Sequence, residues 1–272
     1  MRLALEDQRK LWKAVTILER ESFVARLSEL TGEPVTQILR RLPGPLNRQI
    51  HSVVRGVLSK ALDVALYKSN SRFPEPGAAL FKVMSGVTGG VSGFFGLATV
   101  AVELPLTTTL MLRSIAGIAR SHGEDLNQPA SRLACLEVLA LGPRRDSKKE
   151  PGFETSYLAT RTFLAKAVSE SAQAMAQRGV TQTSAPVIVE LLTAVGSRFG
   201  VIVSEKVAAG TIPVVGAIGG AAINLAFMEH FQQLARAHFT IRALERRYGA
   251  PEVLRYYHAY VPMVKERLAK SR

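Results

Sequence analysis

The chain has 272 residues, 47% hydrophobic and 21% charged, which is typical of a globular protein with a sizeable core and excludes an intrinsically disordered chain. Its single cysteine excludes an intramolecular disulfide and favours a reducing compartment, and the first ten residues lack the apolar stretch of a signal peptide. The net charge of +13 lies mostly at the ends: residues 1–60 hold eleven Lys and Arg against six Asp and Glu, and residues 236–272 hold nine against three.

Glycines and prolines divide the N-terminal half into four predicted helical segments. The first segment stops at Gly32. The fourth begins at Pro105 and stops at Gly123. Proline favours the first turn of a helix, and glycine favours the position just after its last turn. The four segments cover residues 4–30, 46–67, 78–104 and 105–122.

Five further helical segments are predicted in the C-terminal half. They begin near Gln128, Thr155, Ser184, Pro213 and Pro251. Residues 142–152 are expected to form an exposed charged loop, and residues 250–272 a basic helical segment that Pro262 kinks or divides. No hairpin turn signal occurs, so we predict an all-α protein with one multi-helix domain over residues 1–272.

Two uncharged runs, residues 83–102 and 207–228, are rich in glycine, and each is long enough to span a bilayer. Their glycines recur at helical spacing and leave a smooth face for close helix packing. Because glycine inside a helix costs about 1 kcal/mol relative to alanine, we expect both runs to pack tightly at the centre of the fold. Burial in the core and membrane insertion both remain open. The packing glycines are Gly86, Gly89, Gly93, Gly96, Gly216, Gly219 and Gly220.

Four motifs in order resemble the EcsC protein family. They are ELPLTTTLMLRSIAGIARSHGEDL, LACLEVLALG, IPVVGAIGGAAIN and ARAHFTIRALERRYG, and the resemblance runs from about residue 10 to residue 250. The family takes its name from a bacterial operon that encodes an ABC transporter linked to protein secretion. The resemblance implies a bacterial protein that works near the cytoplasmic membrane, and it provides no catalytic residues.

Three polar residues near the apolar runs form the candidate ligand site. Glu103 either caps the positive end of the helix beginning at Pro105 or provides a buried carboxylate facing Arg113, Asn224 or a ligand head group. Asn224 either fixes helix pairing or binds a lipid carbonyl or hydroxyl. The sequence contains no nucleophile elbow, phosphate loop or metal-binding spacing, so we predict no catalytic residue, metal or cofactor.

Both ends of the chain combine basic and aromatic residues, a composition typical of helices that lie on a membrane surface. The membrane-surface candidates are Trp12, Lys13, Tyr256 and Tyr257. The alternative is that these helices pack on the domain and extend their basic side chains into solvent.

These features predict a non-enzymatic cytoplasmic protein that associates peripherally with the inner face of the cytoplasmic membrane. It would bind or shelter a lipid-like apolar ligand near a transport or secretion system. Its expected partners are an anionic membrane surface or lipid-like ligand and a membrane transporter, whereas nucleic acid is not expected because no recognition module is found. Two alternatives remain: a hydrolase-type enzyme acting on a lipid or peptide, with Glu103 as its base, and an interaction subunit of an ABC transporter. The oligomeric state stays open.

Overall fold

Nine α-helices and one short 3₁₀ turn make up the described part of the chain. The computed structural model describes residues 2–20, 23–32, 34, 37, 44–67, 96–141, 157–178, 186–210 and 216–270. The helices are α1 (Leu5–Leu18), α2 (Phe23–Thr31), α3 (Gly44–Tyr67), α4 (Gly96–Ser121), α5 (Pro129–Glu137), α6 (Tyr157–Arg178), α7 (Pro186–Gly210), α8 (Gly216–Tyr248) and α9 (Ala250–Lys270), with the 3₁₀ turn Val138–Ala140 after α5. No strand occurs within these residues, so the all-α prediction is confirmed.

Several helix boundaries follow the predicted punctuation. Gly123, after α4, and Gly249, between α8 and α9, have φ angles of 78° and 85°, in the left-handed region that glycine adopts without steric cost. Pro129 occupies the first turn of α5 and Pro186 that of α7. The predicted loop over residues 142–152 lies outside the described residues.

Two boundary predictions were wrong. Helix α4 passes through Pro105 instead of beginning there, because its buried residues Leu104, Met111 and Ile115 pack against α3 and α8 and outweigh the loss of one backbone hydrogen bond. The single N-terminal helix is in fact two, since α1 ends at Leu18 and α2 begins again at Phe23.

Two further features concern the paths of α2 and α9. Helix α2 places Phe23 against Phe227 of α8, with ring centroids 5.7 Å apart, which requires a change of direction after α1. Helix α9 continues through Pro262, so that proline does not divide it.

The core lies where α7 and α8 meet. Helix α8 packs on α1, α2, α4, α7 and α9, while α7 packs on α2, α3, α6 and α8. Phe199, Phe227 and Phe231 are fully buried between these two helices, with ring centroids 5.2 to 6.1 Å apart. The helices therefore form one compact domain around α7 and α8.

Helices α4 and α8 run parallel in a constant register. Gln232 donates a hydrogen bond to Ser114 at 2.9 Å, and Thr240 lies 3.3 Å from the His122 ring nitrogen. Both pairs are 118 residues apart in sequence. A constant difference means that the two helices advance in the same direction side by side.

The glycine-rich runs are only partly described. Gly86, Gly89 and Gly93 lie outside the described residues, Gly96 is the first residue of α4, and the other three begin α8. Tight packing of the two runs therefore stays a prediction. Within the described residues, α7 is the one helix long and apolar enough to cross a membrane, and half of its most apolar window is buried against other helices. A central helix surrounded by protein has the same composition.

Helices α3 and α7 approach closely at Gly200. A methyl group at this position would overlap the imidazole of His51, whereas a methyl at Gly196, one turn earlier, would meet Leu58 at 3.4 Å in ordinary contact. Gly200 is thus required for the His51 ring to lie against α7, and Gly196 is not.

We expect Gly200→Ala to lower the free energy of unfolding by about 1 to 3 kcal/mol, because the His51 ring must leave its position. Gly196→Ala should be neutral or should stabilise by up to about 1 kcal/mol through helix propensity. Urea denaturation of both variants measures the difference, and His51→Ala should remove the penalty of Gly200→Ala. Equal effects of the two alanine substitutions would contradict this account of the contact.

Candidate functional site

Helices α1 and α9 meet at the surface, and aromatic rings fill their contact. Trp12 meets Tyr260 edge-on with centroids 5.2 Å apart, and Tyr256 lies 6.1 Å from Tyr260. All three side chains are partly buried. The Arg255 guanidinium lies over the Tyr256 ring, 5.0 Å from its centroid, at the distance of a cation–π contact. An aromatic cluster with an accessible edge therefore joins the two helices.

Exposed cationic and apolar side chains flank this cluster. On α1, Leu5, Arg9 and Lys13 follow one another at four-residue steps beside Trp12 and form an exposed ridge. On α9, Met263 and Arg267 continue the stripe that begins with the tyrosines and are also exposed. Leu5 is 76% exposed and Met263 55%. We call this surface the α1–α9 face; it comprises Leu5, Arg9, Trp12, Lys13, Tyr256, Tyr260, Met263 and Arg267.

The α1–α9 face has an excess of positive charge. The carboxylates of these two helices that lie near it are each paired with a cation on the same helix. The pairs are Glu6–Lys10, Glu252–Arg255 and Glu266–Lys270, with N···O distances of 2.7, 2.7 and 2.6 Å. Arg9, Lys13 and Arg267 make no ion pair with any described residue. These three charges remain available to an anionic partner.

Buried Asp7 fastens α1 to the end of α8. Its carboxylate accepts hydrogen bonds from Tyr248 Oη at 2.8 Å and from Arg247 Nη1 at 2.9 Å. The Tyr248 bond, together with Lys10 and Arg247, lowers the pKa of Asp7 against the opposing effect of burial. The orientation of α1 is therefore set by groups at the far end of the sequence.

Tyr257 fastens α9 to the core and is not a surface residue. It is buried, its ring lies 5.8 Å from that of Tyr157, and its hydroxyl donates to Glu19 Oε1 at 3.0 Å. Burial raises the pKa of Tyr257 far above its usual value. The predicted membrane-surface role therefore fails for Tyr257, because the helix turns this side chain inward while its neighbour Tyr256 faces outward.

The predicted ligand site does not assemble as expected. Glu103 lies inside α4, about two turns after the first residue, so it does not cap a helix beginning at Pro105. Arg113, which is exposed, lies about 15 Å farther along the same continuous helix, too far to face Glu103 directly. Asn224 is partly buried on α8. The side chain of Glu103 is outside the described part, so its proximity to Asn224 stays a prediction.

A buried ion-pair cluster around Glu124 was not predicted. Its carboxylate, in the turn after α4, accepts hydrogen bonds from Arg242 at 2.8 and 3.1 Å, from Ser131 at 2.7 Å and from Arg246. Although burial opposes ionisation, these bonds lower the pKa of Glu124 to about 2. Both arginines lie four residues apart on α8, but nothing local indicates a carboxylate 118 residues earlier as their partner.

The chain matches the family model of the EcsC protein family over residues 9–244. Because this match covers most of the sequence, the chain belongs to the EcsC protein family. Helix α9 lies beyond the matched residues. No curated protein and no solved structure gives a significant match.

We expect Glu124→Gln to lower stability at neutral pH by about 2 to 4 kcal/mol, because the partly buried Arg242 would lose its counter-charge. The low pKa of Glu124 means that its contribution is present above its ordinary pKa of 4.5 and is lost as pH falls toward 2. Urea denaturation between pH 2.5 and 7 should show a shallower acid decline in the variant than in the wild type. Glu6→Gln, at a residue whose side chain is 79% exposed, is the control. Identical pH profiles for Glu124→Gln and wild type would refute this assignment.

Tyr257→Phe should lower the free energy of unfolding by about 1 to 3 kcal/mol, since it leaves a buried Glu19 oxygen without its donor. Tyr256→Phe, one residue earlier on the outer side, should change it by less than about 0.5 kcal/mol. Thermal or urea unfolding compares the two variants. A larger loss of stability from Tyr256→Phe than from Tyr257→Phe would show that Tyr257 is not the residue that holds α9 in place.

Proposed function

We propose that this EcsC family member is a non-enzymatic, peripheral membrane protein that docks on an anionic bilayer surface through the α1–α9 face. The observation that supports this most strongly is the combination of Arg9, Lys13 and Arg267 with the aromatic cluster they flank. The expected location is the inner face of the cytoplasmic membrane, whose anionic lipids attract basic surfaces.

The chemistry of the face matches the layers of a bilayer surface. Each Lys or Arg near an anionic membrane contributes about 1 kcal/mol of attraction. Trp12 and the two tyrosines have the amphipathic rings that favour the depth of the lipid head groups. Leu5 and Met263 are exposed enough to enter the edge of the acyl region.

The fold presents this face without opening its core. Asp7 holds α1 against the end of α8, and Tyr257 holds α9 against α1 and α6. Docking through preformed helices loses little conformational entropy. The glycine-rich runs that would shelter a lipid-like ligand are only partly described, so that ligand and the neighbouring transporter or secretion system remain predictions.

Flotation of detergent-free protein with vesicles tests the proposal. Phosphatidylcholine vesicles with and without phosphatidylglycerol should separate the charge effect from apolar insertion. We expect flotation only with the anionic vesicles and its reversal by high salt, because surface charges are screened within about 10 Å at 0.1 M salt. Failure to float with any vesicle at low salt would overturn the membrane role.

The double charge reversal Arg9→Glu with Lys13→Glu should weaken binding to anionic vesicles roughly thirtyfold or more, since two cations contribute about 2 kcal/mol. The matched control reverses two exposed cations elsewhere, Arg48 on α3 and Lys166 on α6, and changes the net charge equally. Equal losses in both variants would mean that total charge, not this face, directs binding.

Leu5→Ser with Met263→Ser isolates the apolar contribution. These exposed residues have little role in the core, so the variant should fold normally and bind anionic vesicles several-fold more weakly, with the greatest loss at moderate salt where charge attraction is screened. Unchanged binding at every salt concentration would show that the face contacts the bilayer by charge alone.

A further inference from the structure

Among the described residues, one buried carboxylate outside the α1–α9 face makes no ion pair with Lys or Arg. Glu137 is the last residue of α5, and only 4% of it is exposed. Its Oε2 lies 3.9 Å from Nε2 of the fully buried His238, too far for a hydrogen bond. Among the described residues, neither Glu137 Oε1 nor His238 Nε2 has a hydrogen-bond partner.

The cations nearest to Glu137 are bound to other carboxylates. Arg161 of α6 donates two hydrogen bonds of 2.7 Å to Glu245 of α8. Arg242 of α8 donates two hydrogen bonds to Glu124. Glu137 is therefore a third carboxylate beside two partly buried guanidinium groups that already have counter-ions.

Among the described residues, no Lys or Arg on the elements packed around Glu137 lies within ion-pair distance of its carboxylate. The hydroxyl oxygen of Tyr157, on α6, lies 3.0 Å from Nδ1, the other ring nitrogen of His238. Arg198 of α7 donates to a threonine of α6, and the side chain of Arg55 on α3 packs against α7. The group that faces the carboxylate directly is thus a histidine.

Burial also keeps that histidine neutral. Burial removes water from His238 and so lowers its pKa well below the usual value. The positive charges of Arg161 and Arg242 lower it further. The same burial raises the pKa of Glu137 to about 7, although both arginines oppose the rise. A neutral imidazole accepts a hydrogen bond at one nitrogen and donates at the other, so it is suited to a protonated carboxyl group.

We propose that Glu137 is an internal proton-binding site, whose carboxyl group takes up one proton from solvent and faces the buried ring of His238. The protonated carboxyl donates its hydrogen to Nε2 of His238, and Nδ1–H of the same ring donates to the hydroxyl oxygen of Tyr157. Closing the Glu137–His238 gap by about 1 Å brings the two atoms to hydrogen-bond distance. No covalent bond forms or breaks apart from the O–H bond of the bound proton.

Proton loss at this site places an uncompensated charge where α5, α6 and α8 meet. Because a raised folded pKa stabilises the fold at low pH, this contribution is present below pH 4.5 and is lost as pH rises through about 7. The Tyr157 ring also contacts Tyr257 of α9, so Tyr157 connects the Glu137–His238 pair to that helix. The free energy of unfolding therefore depends on pH up to about 7, above the range in which ordinary carboxylates titrate.

The test is urea denaturation of wild type and Glu137→Gln from pH 5.5 to 8.5. A glutamine amide resembles the protonated carboxyl and cannot ionise. We expect the wild-type folding constant to fall by about tenfold or more across this range and the variant to lose most of that decline. Glu6→Gln is the matched control and should keep the wild-type profile. A decline of equal size in Glu137→Gln would overturn the proposal.

Carbon-13 NMR of wild-type protein labelled at its glutamate carboxyl groups provides a readout that needs no variant. We expect one carboxyl to titrate between pH 6 and 8, and Tyr157→Phe to move its midpoint by removing a member of the hydrogen-bonded chain. If every glutamate carboxyl titrates below pH 5.5, Glu137 is ionised in the folded protein and the proposal fails. This measurement decides the matter even if Glu137→Gln does not fold.

Discussion

Helix α8 is the element on which most of the packing depends, because α1, α2, α4, α7 and α9 all contact it. Its N-terminal half provides Phe227 and Phe231 to the aromatic core with α7, and its C-terminal half extends charged side chains into its neighbours. Those side chains bind the turn after α4, helix α6 and helix α1 through ion pairs. The pairs are Arg242–Glu124, Arg161–Glu245 and Arg247–Asp7. The carboxylates of Glu124 and Asp7 are buried, so leaving either without its cation is costly, and these pairs favour one arrangement of helices over others.

The buried titratable groups make the free energy of unfolding fall toward acidic pH and also toward alkaline pH. The pKa of Glu124 is lowered to about 2, and the pKa of His230 is lowered to about 4 by burial and Arg26, so both contributions are lost as acidity increases. The pKa of Glu137 is raised instead, so its contribution is lost toward alkaline pH. Maximal stability should therefore lie at mildly acidic to neutral pH, between these opposing titrations.

The membrane proposal and the proton-binding proposal concern different parts of one framework. The α1–α9 face lies outside the core and is oriented by Asp7 and Tyr257, whose partners lie on α8 and directly after α1. Glu137 lies inside, where α5, α6 and α8 meet. Tyr157 connects the two regions through its contacts with His238 and Tyr257. The residues proposed for one role can therefore be mutated without removing the residues proposed for the other.

The sequence by itself determined what depends on neighbours along the chain. Glycine at positive φ after α4 and α8, proline at the start of α5 and α7, and helical periodicity predicted most helices and the all-α class, because these preferences act within a few residues. The basic, aromatic character of both ends was likewise visible, and Trp12 and Tyr256 do lie at the surface contact of α1 and α9.

Only the tertiary structure decided which faces meet. It carried α4 through Pro105, turned Tyr257 inward and joined Glu124 to an arginine 118 residues away. It also placed Glu137 beside a histidine, with no cation of its own among the described residues. Long-range burial and ion pairing release more free energy than one local backbone preference, and no short segment of sequence specifies the partner that will cover it.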